Sequence, residues 1–272
     1  MTMFKTRLIS GIALVAIALL TIIVSGPLLL ITLLAVSLIG MHELYRAAGV
    51  CDTLFSPLSI AGSAGALLFY IVLFASLPAV YQLPAIVIGL ILIMAVYVFT
   101  WPRYRSEHVF AAGFGMLYVA VMLSYIYQTR ILPSGAFTVW LIFLCAWGCD
   151  TCAYCVGMLI GKHKMSPRLS PKKSIEGAVG GVIGAALLGT AYAFAIGRYM
   201  PGGAPAWQFA LICAVGALIS MVGDLAASAI KRNRKIKDYG TLIPGHGGIL
   251  DRFDSVIFTA PVIYLLAMLF FT

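Results

Sequence analysis

The chain has 272 residues, of which 62% are hydrophobic and only 10% charged, and its mean hydropathy is +1.05. A water-soluble domain carries about 25% charged residues, so this sequence lacks the polar surface to cover itself in water and reads as an integral membrane protein. The net charge of +9 does not call for a nucleic-acid partner, because membrane proteins concentrate Lys and Arg in cytoplasmic loops.

A helix needs about 20 apolar residues to cross the hydrocarbon core. Nine stretches approach that length: 8–25, 27–45, 57–77, 84–101, 108–127, 135–160, 177–197, 205–230 and 252–271. Turn chemistry separates them at Gly26-Pro27, Ser56-Pro57, Pro84, Trp101-Pro102, Pro133-Ser134-Gly135 and Pro201-Gly202-Gly203. The first stretch has no cleavage-site pattern behind it and is expected to stay in the protein. Its junction with the second is so tight that two crossings and a re-entrant hairpin both suit the pattern. Placing the N-terminus inside and alternating leaves 16 of the 18 basic residues inside, with only Arg130 and Arg198 outside. The expectation is therefore an all-α, polytopic integral membrane protein of about nine transmembrane helices, N-in and C-out.

The two parts of the chain differ in kind. Residues 1–144 are nearly featureless and read as transmembrane scaffold, lipid access and dimer contacts. Residues 145–272 hold most of the charge and read as the catalytic transmembrane region, with cytoplasmic loops 161–177 and 231–251.

Acids at membrane depth are costly and usually serve function. Asp150 in LCAWGCDTCAYCVG and Asp224 in ALISMVGDLAASAIKR are of this kind, each with a structural ion pair as the alternative. Glu43 in GMHELYR reads more readily as a polar residue at a helix end. Two basic loops follow the first two acids: GKHKMSPRLSPKKSIEG, with Lys172 and Lys173, and the stretch from Ser228 through Lys231 and Arg232 to Asp254. Their charge alone is explained by the positive-inside rule; the carboxylates and glycines are not.

Asp251 and Asp254 are three apart and Asp224 and Ser228 four apart, so each pair shares a helix face. Mg²⁺ is usually held by one or two carboxylates together with substrate phosphates, and Lys or Arg nearby binds the oxygens that the metal leaves free. The turn Pro244-Gly245-His246-Gly247-Gly248 allows close backbone approach, with N–H groups that can face an anion. It is not a Walker A loop. For Asp251 and Asp254 the competing reading is a helix N-terminal cap. His246 reads as a phosphate donor, since a phosphate nucleophile is already ionised and needs no general base. Cys145, Cys149, Cys152 and Cys155 imitate metal spacing, yet lie in an apolar helical stretch and read as small packing residues.

The run from Ser228 through Lys231-Arg232, Lys237-Asp238, Gly240 and His246-Gly247-Gly248 to Asp251-Arg252 and Asp254 resembles the signature of the phosphatidate cytidylyltransferases, or CDP-diacylglycerol synthases. The likeness extends upstream to Asp150-Thr151, Ala153-Tyr154, Gly157, Gly161-Lys162, Ser170-Pro171-Lys172-Lys173 and Glu176-Gly177. The resemblance implies that CTP and phosphatidate give CDP-diacylglycerol and pyrophosphate, with Mg²⁺ as cofactor and a second, monovalent cation left open. It implies a homodimer with its site facing the cytoplasm. The compact size and lack of a targeting extension point to the bacterial inner (cytoplasmic) membrane, with an organelle membrane as the alternative. On this reading Asp224, Asp251 and Asp254 hold the metal, and Lys231 and Arg232 act with them. Lys172, Lys173, Ser228, His246, Gly247, Gly248 and Arg252 bind substrate, and Asp150 supports the site or contacts cytidine. The competing classes are an ion or solute transporter built on intramembrane acids, and another lipid-linked phosphotransferase.

Overall fold

The computed structural model describes residues 3–271 apart from 52–55, 198, 201–202 and 246, with side chains described from Ser10 onward. His246 and Arg198 therefore lie outside the described residues. Among the described residues, nine helices run in chain order: α1 Met3–Val24, α2 Gly26–Ala48, α3 Pro57–Phe74, α4 Ala79–Phe99, α5 Ser106–Arg130, α6 Gly135–Ile160, α7 Ile175–Ile196, α8 Ala206–Asn233 and α9 Leu250–Phe271. Eight of them, α2 to α9, are long and apolar enough to cross a membrane. Of α1, only the shorter apolar stretch Ser10–Val24 is counted. The chain is a polytopic, all-α membrane protein, as its composition requires.

Local chemistry sets the helix ends. Pro27 and Pro57 stand in the first turns of α2 and α3, where a missing N–H costs nothing. The α1–α2 junction turns at Ser25 and Gly26, with φ of 62° and 57°. Gly49 ends α2 in the left-handed region at φ 77°, and the N–H groups of Gly49 and Val50 return to the carbonyls of Arg46 and Tyr45 at 3.1 and 2.8 Å. Several expected boundaries move. Pro84, expected as a break, lies in the first α-helical turn of α4, where its missing N–H has no intrahelical partner to lose. Lys231 and Arg232, assigned to a loop, form the last turn of α8, where the helix dipole favours cations. Asp251 lies inside α9, which begins at Leu250 rather than 252.

By internal contacts the chain forms two units, residues 1–127 with 233–253 and residues 128–232 with 254–272. The first unit holds α1 to α4, most of α5, and the loop into α9. Buried Tyr45 anchors it: its hydroxyl donates to the Ala112 carbonyl at 2.7 Å, and its ring fills the space left by Gly62 and Gly115. The Tyr70 hydroxyl meets Ser37 Oγ at 3.0 Å. Helices α3 and α4 approach at Gly65 and Gly89, where a Cβ on Gly65 would lie 2.8 Å from the Gly89 Cα. Small residues at such contacts let helices pack closely where apolar burial cannot drive association.

In the second unit the same device joins α6 to α7 and α8, with cysteine as the partner of glycine. Cys149 packs on Gly181, Cys152 on Gly184, Cys145 on Gly216 and Cys213 on Gly189. All six cysteines are free thiols, and Cys155 faces away, exposed. The packing reading thus holds for Cys145, Cys149 and Cys152 and not for exposed Cys155. Between α6 and α7 the expected loop contains a short antiparallel hairpin, β1 Lys164–Ser166 and β2 Ser170–Ser174, pairing Lys164 with Ser174 and Ser166 with Ser170. Ser174 caps α7 by accepting from the Gly177 N–H at 3.1 Å. Glu176 ties the hairpin's entry to that cap, accepting from Lys162 N at 3.1 Å, His163 N at 3.2 Å and His163 Nδ1 at 2.6 Å.

Candidate active site

In the second unit, charged side chains gather among helices that are otherwise apolar. Lys173, on β2, forms an ion pair with Asp224 of α8, and both are half-buried. Asp254 of α9 is only 8% exposed, and its charged neighbours are Asp224, Lys231 and Asp150. Ser255 N donates to its Oδ1 at 2.7 Å. The approach of α8 to α9 is set by Gly223, whose Cβ position lies 2.9 Å from the Asp254 carbonyl oxygen. Ser228 stands one turn beyond Asp224 on α8, half-buried. Lys172 and Arg232 are exposed, and Arg232 Nε reaches the Leu169 carbonyl at 3.5 Å, between α8 and the hairpin.

A buried carboxylate beside other acids is costly until cations offset it. Asp224 and Asp254 supply hard oxygen donors on two helices, with lysines on either side. That donor set fits a divalent cation that completes its shell with phosphate oxygens and water. Among the described residues, no group of three or more His, Cys, Asp or Glu side chains could hold a metal ion by itself.

The first unit contains the glycine turn, and here the carboxylates do something else. Asp251, 7% exposed, accepts through Oδ2 from Tyr239 N at 2.8 Å and Gly248 N at 3.0 Å. The turn closes on itself through Ile243 N to the Gly247 carbonyl at 2.9 Å. Gly247 has φ of 88°, and a Cβ there would lie 2.9 Å from Asp251 Oδ2; only glycine meets both conditions. Beside the turn lies a cleft of about 510 Å³, lined by Lys237, Asp238, Thr241 and Arg252 and by the backbone at Gly240, Gly245 and Gly247. That is the size of an ordinary small-molecule site.

Two expectations need amendment. Gly248 N is already engaged by Asp251, so that donor faces an internal anion rather than a substrate phosphate. The N-terminal cap read for Asp251 and Asp254 is shared differently: Asp251 holds the turn before α9, while Asp254 accepts from the adjacent Ser255 N. Sequence reasoning also undervalued Glu43. It is 6% exposed and accepts from Ile249 N at 3.0 Å, just before α9, and from Leu250 N at 2.8 Å, the first donor of that helix. Its signal was an acid inside an apolar run; what it lacked was any sequence clue to a partner 206 and 207 residues away.

Comparison with known proteins adds to this geometry. A family model described as the cytidylyltransferase family matches residues 5–270. The phosphatidate cytidylyltransferase of Bacillus subtilis is 30% identical over 275 residues, covering 98% of each chain. That of Brucella suis biovar 1 is 30% identical over 270 residues, covering 99% of this chain and 95% of its own. That of Synechocystis is 42% identical over 139 residues, which is 50% of this chain and 45% of its own.

Proposed function

This chain belongs to the cytidylyltransferase family, and from that premise we propose that it is a phosphatidate cytidylyltransferase, forming CDP-diacylglycerol and pyrophosphate from CTP and phosphatidate. One structural observation carries the reading. Buried Asp254 neighbours Asp224, itself paired with Lys173, and Lys231 stands beside them. Polyphosphate chemistry needs this combination of metal-binding oxygens and cations, and a structural scaffold does not.

In the reaction, a phosphate oxygen of phosphatidate attacks the α-phosphorus of CTP. The bond from that phosphorus to the α–β bridging oxygen breaks, and pyrophosphate leaves with the electron pair. The attacking phosphate is already ionised, so no base is required. Lys172, Lys173, Lys231 and Arg232 bind and orient phosphates, with Ser228 and His246 as further donors. Lys237 and Arg252 serve the cleft beside the turn. Asp224 and Asp254 would hold Mg²⁺, which would supply charge neutralisation at the reacting phosphoryl group; Asp251, expected as a further ligand, is instead engaged by the backbone N–H groups of Tyr239 and Gly248. Asp150 supports the carboxylate cluster. Preorganised charge of this kind is the largest lever available to phosphoryl transfer.

The positive-inside count supports both basic segments facing the cytoplasm, where CTP is dissolved and phosphatidate is within reach, and the bacterial relatives support an inner-membrane location. A homodimer belongs to the same proposal. The test is pyrophosphate release by the purified protein in detergent with phosphatidate, comparing CTP, ATP, GTP and UTP, with and without Mg²⁺. Release that needs CTP, phosphatidate and Mg²⁺ together is expected. Silence with every nucleotide, from folded protein, would overturn the proposal in favour of transport, to be followed by flux in liposomes.

A further inference from the structure

Glu43 lies on α2, distant along the chain from every residue of the signature, yet its carboxylate sits among Gly240, Gly248, Ile249 and Leu250. It accepts from the N–H groups of both Ile249 and Leu250. Gly240 and Gly248 close around it: a Cβ on either residue would fall onto the carboxylate. The Glu43 side chain is thus enclosed by backbone from two points of one loop, and those points border the cleft lined by Lys237 and Arg252. Asp251 holds the same loop from the other side, through Tyr239 N and Gly248 N. A helix N-terminus carries unpaired donors that favour an anion. Here a side chain from another helix is that anion, so the start of α9 is anchored to α2.

We infer that Glu43 is a positioning residue for nucleotide binding: it holds Gly240 and Gly248-Ile249-Leu250 so that Lys237 and Arg252 face the phosphates of one bound nucleotide. This rests on the cytidylyltransferase reading and adds to it a residue from the N-terminal half. Glu43 touches no substrate; it acts through the loop.

The experiment measures kcat and KM for CTP in Glu43→Gln, alongside thermal unfolding in detergent. Glutamine keeps the shape but sets an NH₂ against a backbone N–H. The expected result is a KM for CTP raised about ten-fold, the scale of one lost charge-assisted hydrogen bond. Turnover at saturating CTP should stay within roughly three-fold, since the reacting groups are untouched. A folded variant with unmoved KM overturns the inference, as does a fall in melting temperature with both kinetic constants unchanged.

A second pair covers a variant that fails to fold. Gly248→Ala should raise KM because its Cβ meets the carboxylate, and Glu43→Asp/Gly248→Ala should recover part of that loss by drawing the carboxylate back. No recovery overturns the inference. Wild-type protein without CTP-dependent release would overturn the function itself, and this inference with it. An active wild type with an unmoved KM in Glu43→Gln removes only the role of Glu43.

Discussion

The two units use buried carboxylates in opposite ways. In the unit that includes residues 233–253, Glu43 and Asp251 accept from four backbone N–H groups, belonging to Ile249, Leu250, Tyr239 and Gly248. In the other unit, Asp224 pairs with Lys173, and Asp254 has Lys231 among its charged neighbours beside the adjacent Ser255 N–H. A carboxylate satisfied by backbone is fixed, because those donors cannot leave without unfolding the turn. One satisfied by a lysine can exchange that partner for a metal ion, while the lysine turns to a phosphate. Glu43, Asp251 and Asp254 are buried and Asp224 is half-buried, so burial alone does not separate the two places; the donor decides whether an acid builds the site or acts in it.

The sharpest break in this comparison comes from Asp224→Asn and Asp254→Asn. Each should lower turnover by about 10³-fold, the scale of removing a charge-stabilising group from a phosphoryl-transfer site, with little change in thermal unfolding. Steady-state pyrophosphate release measures it, and activity within ten-fold of wild type would move the chemistry elsewhere. Lys173→Gln should cost roughly 10²-fold, since it removes one phosphate-binding cation, and Lys173→Arg should recover part of that.

Asp251→Asn sharpens the contrast. If its main task is the turn, it should lose about 2 kcal/mol of stability from weakened hydrogen bonds to a buried charge, read as a lower unfolding midpoint. An unmoved midpoint with lost turnover would place Asp251 with the acting acids. The smallest effect is expected for Cys155→Ser, an exposed position with surface-substitution scale of within about 0.5 kcal/mol and unchanged activity. Loss of activity there would reopen a metal role for the cysteine run.

Much of the candidate site was legible in the chain. Asp150 and Asp224 stand out because charge among apolar residues is costly in lipid, and Lys173 and Lys231 lie in the basic segments that follow them; the structure pairs Lys173 with Asp224 and brings Asp150, Asp224 and Lys231 into the neighbourhood of Asp254. The cysteines were legible for the same reason, since a small apolar residue at helical spacing is packing material whatever motif it imitates. Glu43 was not legible in its role. A lone acid near a helix end carries no local mark of its partner, and the partner was backbone, which has no sequence signature. The hairpin 164–174 was also hidden: its KMS and SPKKS strands lack the alternation that marks a strand, and the pairing is made across a turn rather than on a buried face.

Sequence by itself determined the phase in which this protein lives, the number and order of its apolar helices, and the set of charged residues that must find one another. Those follow from hydrophobic length and from the cost of charge in hydrocarbon, both of which are sums over local composition. Only the tertiary structure decided which acids meet lysines and which meet backbone N–H groups, because that depends on contacts between helices distant in the chain. Gly240 and Gly248 illustrate the difference. In the sequence they are permissive turn residues; in the fold their missing side chains make the space that the Glu43 carboxylate fills.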